Sequence, residues 1–174
     1  WVEEYGIAGF RFDLMGLLDN QTMIDIYNDC KDPEGKFMLY GEPWTGGTTK
    51  LSGGVDANKL TSQKTVQESL AQDYFAKQGN YVGAFNDVIR NAIRGDNAPG
   101  QGWVSGATYN VNAVANSLTG IFATTNDKTK NIEPRQVIQY VSCHDNYTLY
   151  DQLIQQSTKN NFFNRYTQAE TLVF

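Results

Sequence analysis

Ligands for soft metals are scarce in this sequence, which has one histidine, His144, and two cysteines, Cys30 and Cys143, far apart along the chain. No metal-ligand spacing surrounds either thiol, so both read as ordinary free or buried cysteines. Long runs of one charge are also missing. The 19 acidic and 14 basic residues are dispersed and leave a net charge of -5, a balance that argues against a nucleic-acid surface and suits a neutral or cationic partner. No apolar run approaches the length of a membrane span, and no positively charged leader with an apolar stretch is present. The sequence starts at Trp1 without a methionine and stops at Phe174 without a polar tail, so a segment of a longer protein is expected, and localisation is not set by these residues. Neither GxGxxG nor GxxxxGK[ST] follows a strand-like run, which deprives a nucleotide-binding fold of its phosphate cradle.

What is present is enough for a core: 174 residues, 40% of them hydrophobic, as in soluble globular proteins. Aromatic residues make up 13%, with ten tyrosines, which fits a well-packed fold and equally a cleft that stacks flat, hydroxyl-rich ligands. The chain turns on IAGFRFD, Ile7 to Asp13. If this run is extended, Ile7, Gly9, Arg11 and Asp13 share one face and Ala8, Phe10 and Phe12 the other. Arginine and aspartate are rarely buried without partners, so a strand that turns both inward builds either a satisfied ion pair or a site.

After Asp13, Leu14-Met15-Gly16 turns out of the strand, and Asn20 is the expected cap of a helix over about Gln21 to Cys30. Lys31 to Gly35 breaks the chain, and a second strand is expected at Phe37 to Gly41, with Met38, Tyr40 and Glu42 on one face. A crossover of this length implies parallel strands. A glycine-rich loop, Thr45 to Gly54, and a polar helix, about Thr61 to Gln78, follow. Tyr81 to Phe85 reads as a strand leading to a short helix, Val88 to Arg94, and a further helix runs from Asn110 to about Phe122. Val137 to Cys143 is the next expected strand, running straight into His144-Asp145-Asn146, with helices at Thr148 to about Gln156 and Phe162 to Leu172. Alternating strands and helices point to an α/β architecture, a barrel or a doubly wound sheet, in which sites form at the carboxyl ends of strands. Asp13, Glu42 and Asp145 are all expected there.

An ionised carboxylate and a protonated carboxylic acid flanking a bond are what glycosidic cleavage requires. Asp13, ionised beside Arg11, suits the nucleophile. Glu42, followed by Pro43 and the bulky Trp44, is less solvated and suits the general acid. Asp145 adds negative charge near a sugar whose anomeric carbon becomes positive, and His144 can donate a hydrogen bond to a hydroxyl. A divalent metal on three carboxylates is the rival chemistry, weakened by the single histidine and the lack of a tight acidic cluster.

Three blocks, GFRFDLMG at Gly9 to Gly16, LYGEPWTGG at Leu39 to Gly47 and YVSCHDN at Tyr140 to Asn146, resemble in order and spacing conserved blocks of the α-amylase superfamily of glycoside hydrolases. Their wording is most similar to the type I pullulanases, the starch- and glycogen-debranching enzymes, as are FNDVIRNAIRG at Phe85 to Gly95 and NYTLYDQL at Asn146 to Leu153. The resemblance implies a (β/α)8 TIM barrel, a retaining mechanism, and α-1,6-glucosidic bonds of an α-glucan polysaccharide or oligosaccharide as target. It implies Asp13 as nucleophile, Glu42 as general acid/base and Asp145 as transition-state stabiliser. Arg11 and His144 match residues that orient the nucleophile and bind sugar hydroxyls, and Trp44 lies where it can stack on a glucose ring. No cofactor is required; calcium occurs in the superfamily, and no residue here marks a site for it.

The Asp-and-His block of the third strand and the YNWGYDP string of type I pullulanases are absent. Residues 1–174 are therefore expected to be the carboxyl-terminal half of a catalytic barrel within a longer multidomain enzyme, about the fourth to seventh strands with their helices. Such a half-barrel leaves strand edges unpaired, so the segment alone is expected to be unstable and inactive. The alternatives are a sister α-glucan hydrolase of neopullulanase, isoamylase or α-amylase type, and a non-catalytic α-glucan-binding protein.

Overall fold

Four short parallel strands run side by side in sequence order in the computed structural model, which describes residues 1–34, 36–44, 81–97, 100–118, 136–156 and 161–174. They are β1 (Gly9–Phe12), β2 (Met38–Gly41), β3 (Val82–Phe85) and β4 (Val137–Ile138). Gly9 lies opposite Met38 and Phe12 opposite Gly41, Leu39 opposite Val82, and Ala84 opposite Val137. The expected glycine-rich loop at Thr45 to Gly54 and the polar helix at Thr61 to Gln78 lie outside the described residues. The chain divides into two compact units, one holding the described residues up to Phe85 together with 136–138, the other the described residues 86–118 and from 139 onward.

In the first unit, α1 (Val2–Tyr5) precedes the sheet, and α2 (Asn20–Cys30) joins β1 to β2. Met23, Ile24 and Tyr27 recur at turn spacing along α2 and are buried, as are Leu39, Val82, Ala84 and Val137 of the strands. At the alternate positions Met38 is exposed and Tyr40, Phe85 and Ile138 are half-buried. Tyr40 meets Phe85 edge to face with ring centroids 5.6 Å apart, and the Arg11 guanidinium lies 5.5 Å from the centre of the same ring. The cap of α2 is Asp19, one residue earlier than the expected Asn20. Its carboxylate accepts the Thr22 N–H at 2.9 Å and the Thr22 hydroxyl at 2.8 Å. A full negative charge at a helix amino terminus outcompetes the neutral amide beside it. The backbone bond from Thr22 holds the Asp19 carboxyl below its usual range, against the opposing effect of burial.

The second unit is helical: α3 (Asp87–Arg94), α4 (Val111–Leu118), α5 (Leu149–Gln155) and α6 (Phe162–Thr171). Ile89, Ala92 and Ile93 of α3 pack with Val104, Val114, Val141, Leu149, Leu153 and Ala169 in one buried cluster. A Cβ on Gly102 would lie 2.2 Å from the Ile93 carbonyl oxygen, so only glycine lets this turn approach α3 so closely. Asn86, fully buried, caps α3 by accepting the N–H groups of Val88 and Ile89 at 3.1 and 3.3 Å. Asn86→Ala is expected to lower stability by about 1–2 kcal/mol, since it strands the buried Ile89 N–H and the half-buried Val88 N–H; a denaturant midpoint equal to the parent's would show that the cap contributes nothing.

The strand expected over Val137 to Cys143 pairs only at Val137 and Ile138. From Gln139 onward the side chains are engaged by α3 and its cap: the Asn86 amide donates to the Gln139 amide oxygen at 3.2 Å, and the Tyr140 hydroxyl bonds to Asp87 and Arg90. Strand propensity yields here to side-chain bonding. Among the described residues, no helix is long and apolar enough to cross a membrane.

Candidate active site

Period-two alternation carries Arg11 and Asp13 to the same side at the end of β1, as the sequence implies. The guanidinium does more than pair with its neighbour. One terminal nitrogen donates to Asp13 Oδ1, and the other donates to Glu42 Oε1 at 2.6 Å, where Glu42 directly follows the adjacent parallel strand β2. Burial works to lower the Arg11 pKa, but its hydrogen bond to Asp13 and the charge of Glu42 outweigh this, and the pKa is raised above its ordinary value. The two carboxylates differ in access to solvent: the Asp13 side chain is 68% exposed, the Glu42 side chain 4%.

Glu42 is also gripped from behind by the turn that leaves β1. Leu14 adopts the left-handed conformation, φ 44°, which costs a non-glycine residue roughly 1–2 kcal/mol. That backbone aims the Leu14 N–H at Glu42 Oε2, 2.7 Å away. Two residues on, the Gly16 N–H donates to the Glu42 carbonyl at 3.1 Å, while the Glu42 N–H donates to the Phe12 carbonyl at 3.0 Å. A Cβ on Gly16 would lie 2.6 Å from the carbonyl carbon and oxygen of Trp44, so the residue must be glycine for the two segments to meet. Sequence reasoning placed Leu14 and Gly16 in the turn that leaves the strand but gave neither a part in holding Glu42. Trp44 itself is half-buried.

His144 and Asp145 lie in the second unit, on a tight turn between Val141 and α5, with His144 Nε2 3.7 Å from Asp145 Oδ1 and both side chains well exposed. Asn146 takes a left-handed conformation, φ 63°, which asparagine tolerates better than most residues. Because β4 ends at Ile138, Asp145 sits several residues past a strand end rather than directly at one. Thus Arg11, Asp13 and Glu42 are brought together within one unit, and His144 and Asp145 stand side by side in the other.

No protein-family model matches the chain. The pullulanase of Bacillus subtilis (strain 168) is 29% identical over 155 residues, covering 88% of this chain and 20% of that protein. The solved structure of apo pullulanase from Paenibacillus barengoltzii superposes with a TM-score of 0.79 at 29% identity, covering 99% of this chain and 25% of that one. The chain is similar to pullulanases in sequence and in fold. A second solved pullulanase, from Anoxybacillus sp. LM18-11 in complex with maltotetraose, aligns with a TM-score of 0.76 at 28% identity over 99% of this chain and 23% of its own. The mixed α/β segment with its four parallel strands therefore matches part of a pullulanase, spanning between a fifth and a quarter of the length of these relatives.

Proposed function

We propose that the chain is the carboxyl-terminal half of the catalytic (β/α)8 barrel of a pullulanase-type glycoside hydrolase. Its substrates are the α-1,6-glucosidic linkages of pullulan, branched starch, glycogen or limit dextrins. The observation that carries this reading is the Arg11 guanidinium holding Asp13 and Glu42 together at the ends of neighbouring parallel strands. Relatives bound to maltooligosaccharides support the substrate class.

The open carboxylate, Asp13, attacks the anomeric carbon, while Glu42 gives its proton to the departing glycosidic oxygen. A glycosyl ester on Asp13 results. Arg11 and the Leu14 N–H then hold the carboxylate that remains on Glu42, the form that takes a proton from the water hydrolysing the ester. Asp145 stabilises the positive charge that develops on the sugar, His144 bonds a hydroxyl, and Trp44 stacks on a glucose ring. A retaining pair requires carboxyl groups about 5–5.5 Å apart in the complete enzyme.

Product analysis of the complete protein on pullulan tests this reading, with maltotriose expected. Panose, or attack on linear α-1,4 chains only, would move the protein to a sister specificity. A folded protein that releases no product would overturn hydrolysis in favour of binding.

A further inference from the structure

Two arginines one turn apart on α3, Arg90 and Arg94, are buried, with 5% and 0% of their surface exposed. Spacing of four residues places them on one face of the helix. Arg90 donates to the Tyr140 hydroxyl at 2.7 Å and to Asp87 Oδ2 at 3.0 Å, and the Tyr140 hydroxyl in turn donates to the other Asp87 oxygen. Arg94 donates to the Tyr147 carbonyl at 2.5 Å and to Asn97 Oδ1 at 3.1 Å. The two arginines therefore grip the chain before and after His144-Asp145. Ser142 Oγ accepts the Leu149 N–H at 3.1 Å and closes the base of the same loop.

Burying two like charges so close together is costly. Burial, and then the charge of Arg90, lowers the Arg94 pKa, while burial and the Asp87 charge raise that of Tyr140 and keep its hydroxyl a donor. A helix that only had to cover a core would satisfy these positions with apolar residues, as Ile89 and Ile93 do. We propose that Arg90 and Arg94 are positioning residues: a clamp on the Tyr140 and Tyr147 ends of the loop that fixes His144 and Asp145 for the reaction. The clamp rests on Asp145 acting as the transition-state stabiliser. A misplacement of about 1 Å in a reacting group costs on the order of 100-fold in rate, so a loop fastened at one end only would be inadequate.

The test uses the complete protein and two conservative variants. Tyr140→Phe removes the hydroxyl that links Arg90 and Asp87 to the loop. Arg94→Lys keeps the charge but replaces the two-nitrogen fork that serves the Tyr147 carbonyl and Asn97 with a single ammonium. Each is expected to lower kcat on pullulan by about 10- to 100-fold with a smaller change in KM, and to speed amide hydrogen exchange in residues 141–147 while leaving α3 protected. In an Asp145→Asn background the same changes should lower kcat little further, because the clamp acts through Asp145. Unchanged exchange in 141–147 would overturn the clamp. Faster exchange with parental kcat would overturn its positioning role, as would losses that simply add to that of Asp145→Asn. If Asp145→Asn itself leaves hydrolysis intact, the role of Asp145 fails instead, and the exchange data still decide whether the loop is clamped.

Discussion

Asp13→Asn is expected to cut pullulan hydrolysis by the complete protein by roughly 10⁴-fold or more in kcat, the scale seen when a nucleophile is removed and only binding and electrostatics remain. The amide has the size of the carboxylate, yet it cannot form the glycosyl ester. Stability should hardly move. The Asp13 side chain is 68% exposed, and exposed ion pairs contribute about 0–1 kcal/mol. A large loss of activity with an unchanged melting temperature is thus the signature of the nucleophile. Residual activity close to the parental value would remove Asp13 from that role, whatever its place beside Arg11.

Arg11→Ala should behave in the opposite way, losing stability together with activity. The Glu42 side chain is 4% exposed and takes a 2.6 Å bond from Arg11. Removing one partner of a buried pair costs about 3–5 kcal/mol, and the partial exposure of Arg11 places this case at or slightly below the lower end. Stacking of the guanidinium on Phe85 is lost as well. The double variant Arg11→Ala/Glu42→Gln should regain much of the stability without regaining activity, since a neutral amide needs no cation. Chemical denaturation of the three proteins provides the measurement. If Arg11→Ala unfolds at the parental midpoint, Glu42 is held by the Leu14 N–H and its other contacts, and Arg11 is not the residue that keeps the site together.

Features that depend on neighbours along the chain were legible in the sequence. Alternation alone put Arg11 and Asp13 on one side of β1, and the helices expected at Gln21 to Cys30, Val88 to Arg94, Thr148 to Gln156 and Phe162 to Leu172 match α2, α3, α5 and α6 to within a residue or two. The parallel pairing of β1 with β2 followed from the length of their connection. The three sequence blocks also identified the family resemblance that the pullulanase comparisons support.

What only the tertiary structure decided lies in pairings between residues far apart. Arg11 was expected to serve Asp13, yet it also binds Glu42, because the register of β1 on β2 sets the ends of the two strands side by side. Leu14 and Gly16 carry no sign in their letters that one aims its N–H at Glu42 and the other leaves room for the Trp44 backbone. The strand expected to reach Cys143 ends at Ile138, since Gln139 and Tyr140 find partners in residues some fifty positions upstream. Periodicity is a local property of the chain and can be read along it; hydrogen bonds that close such long loops exist only once the packing of both segments has offset the entropy of bringing them together.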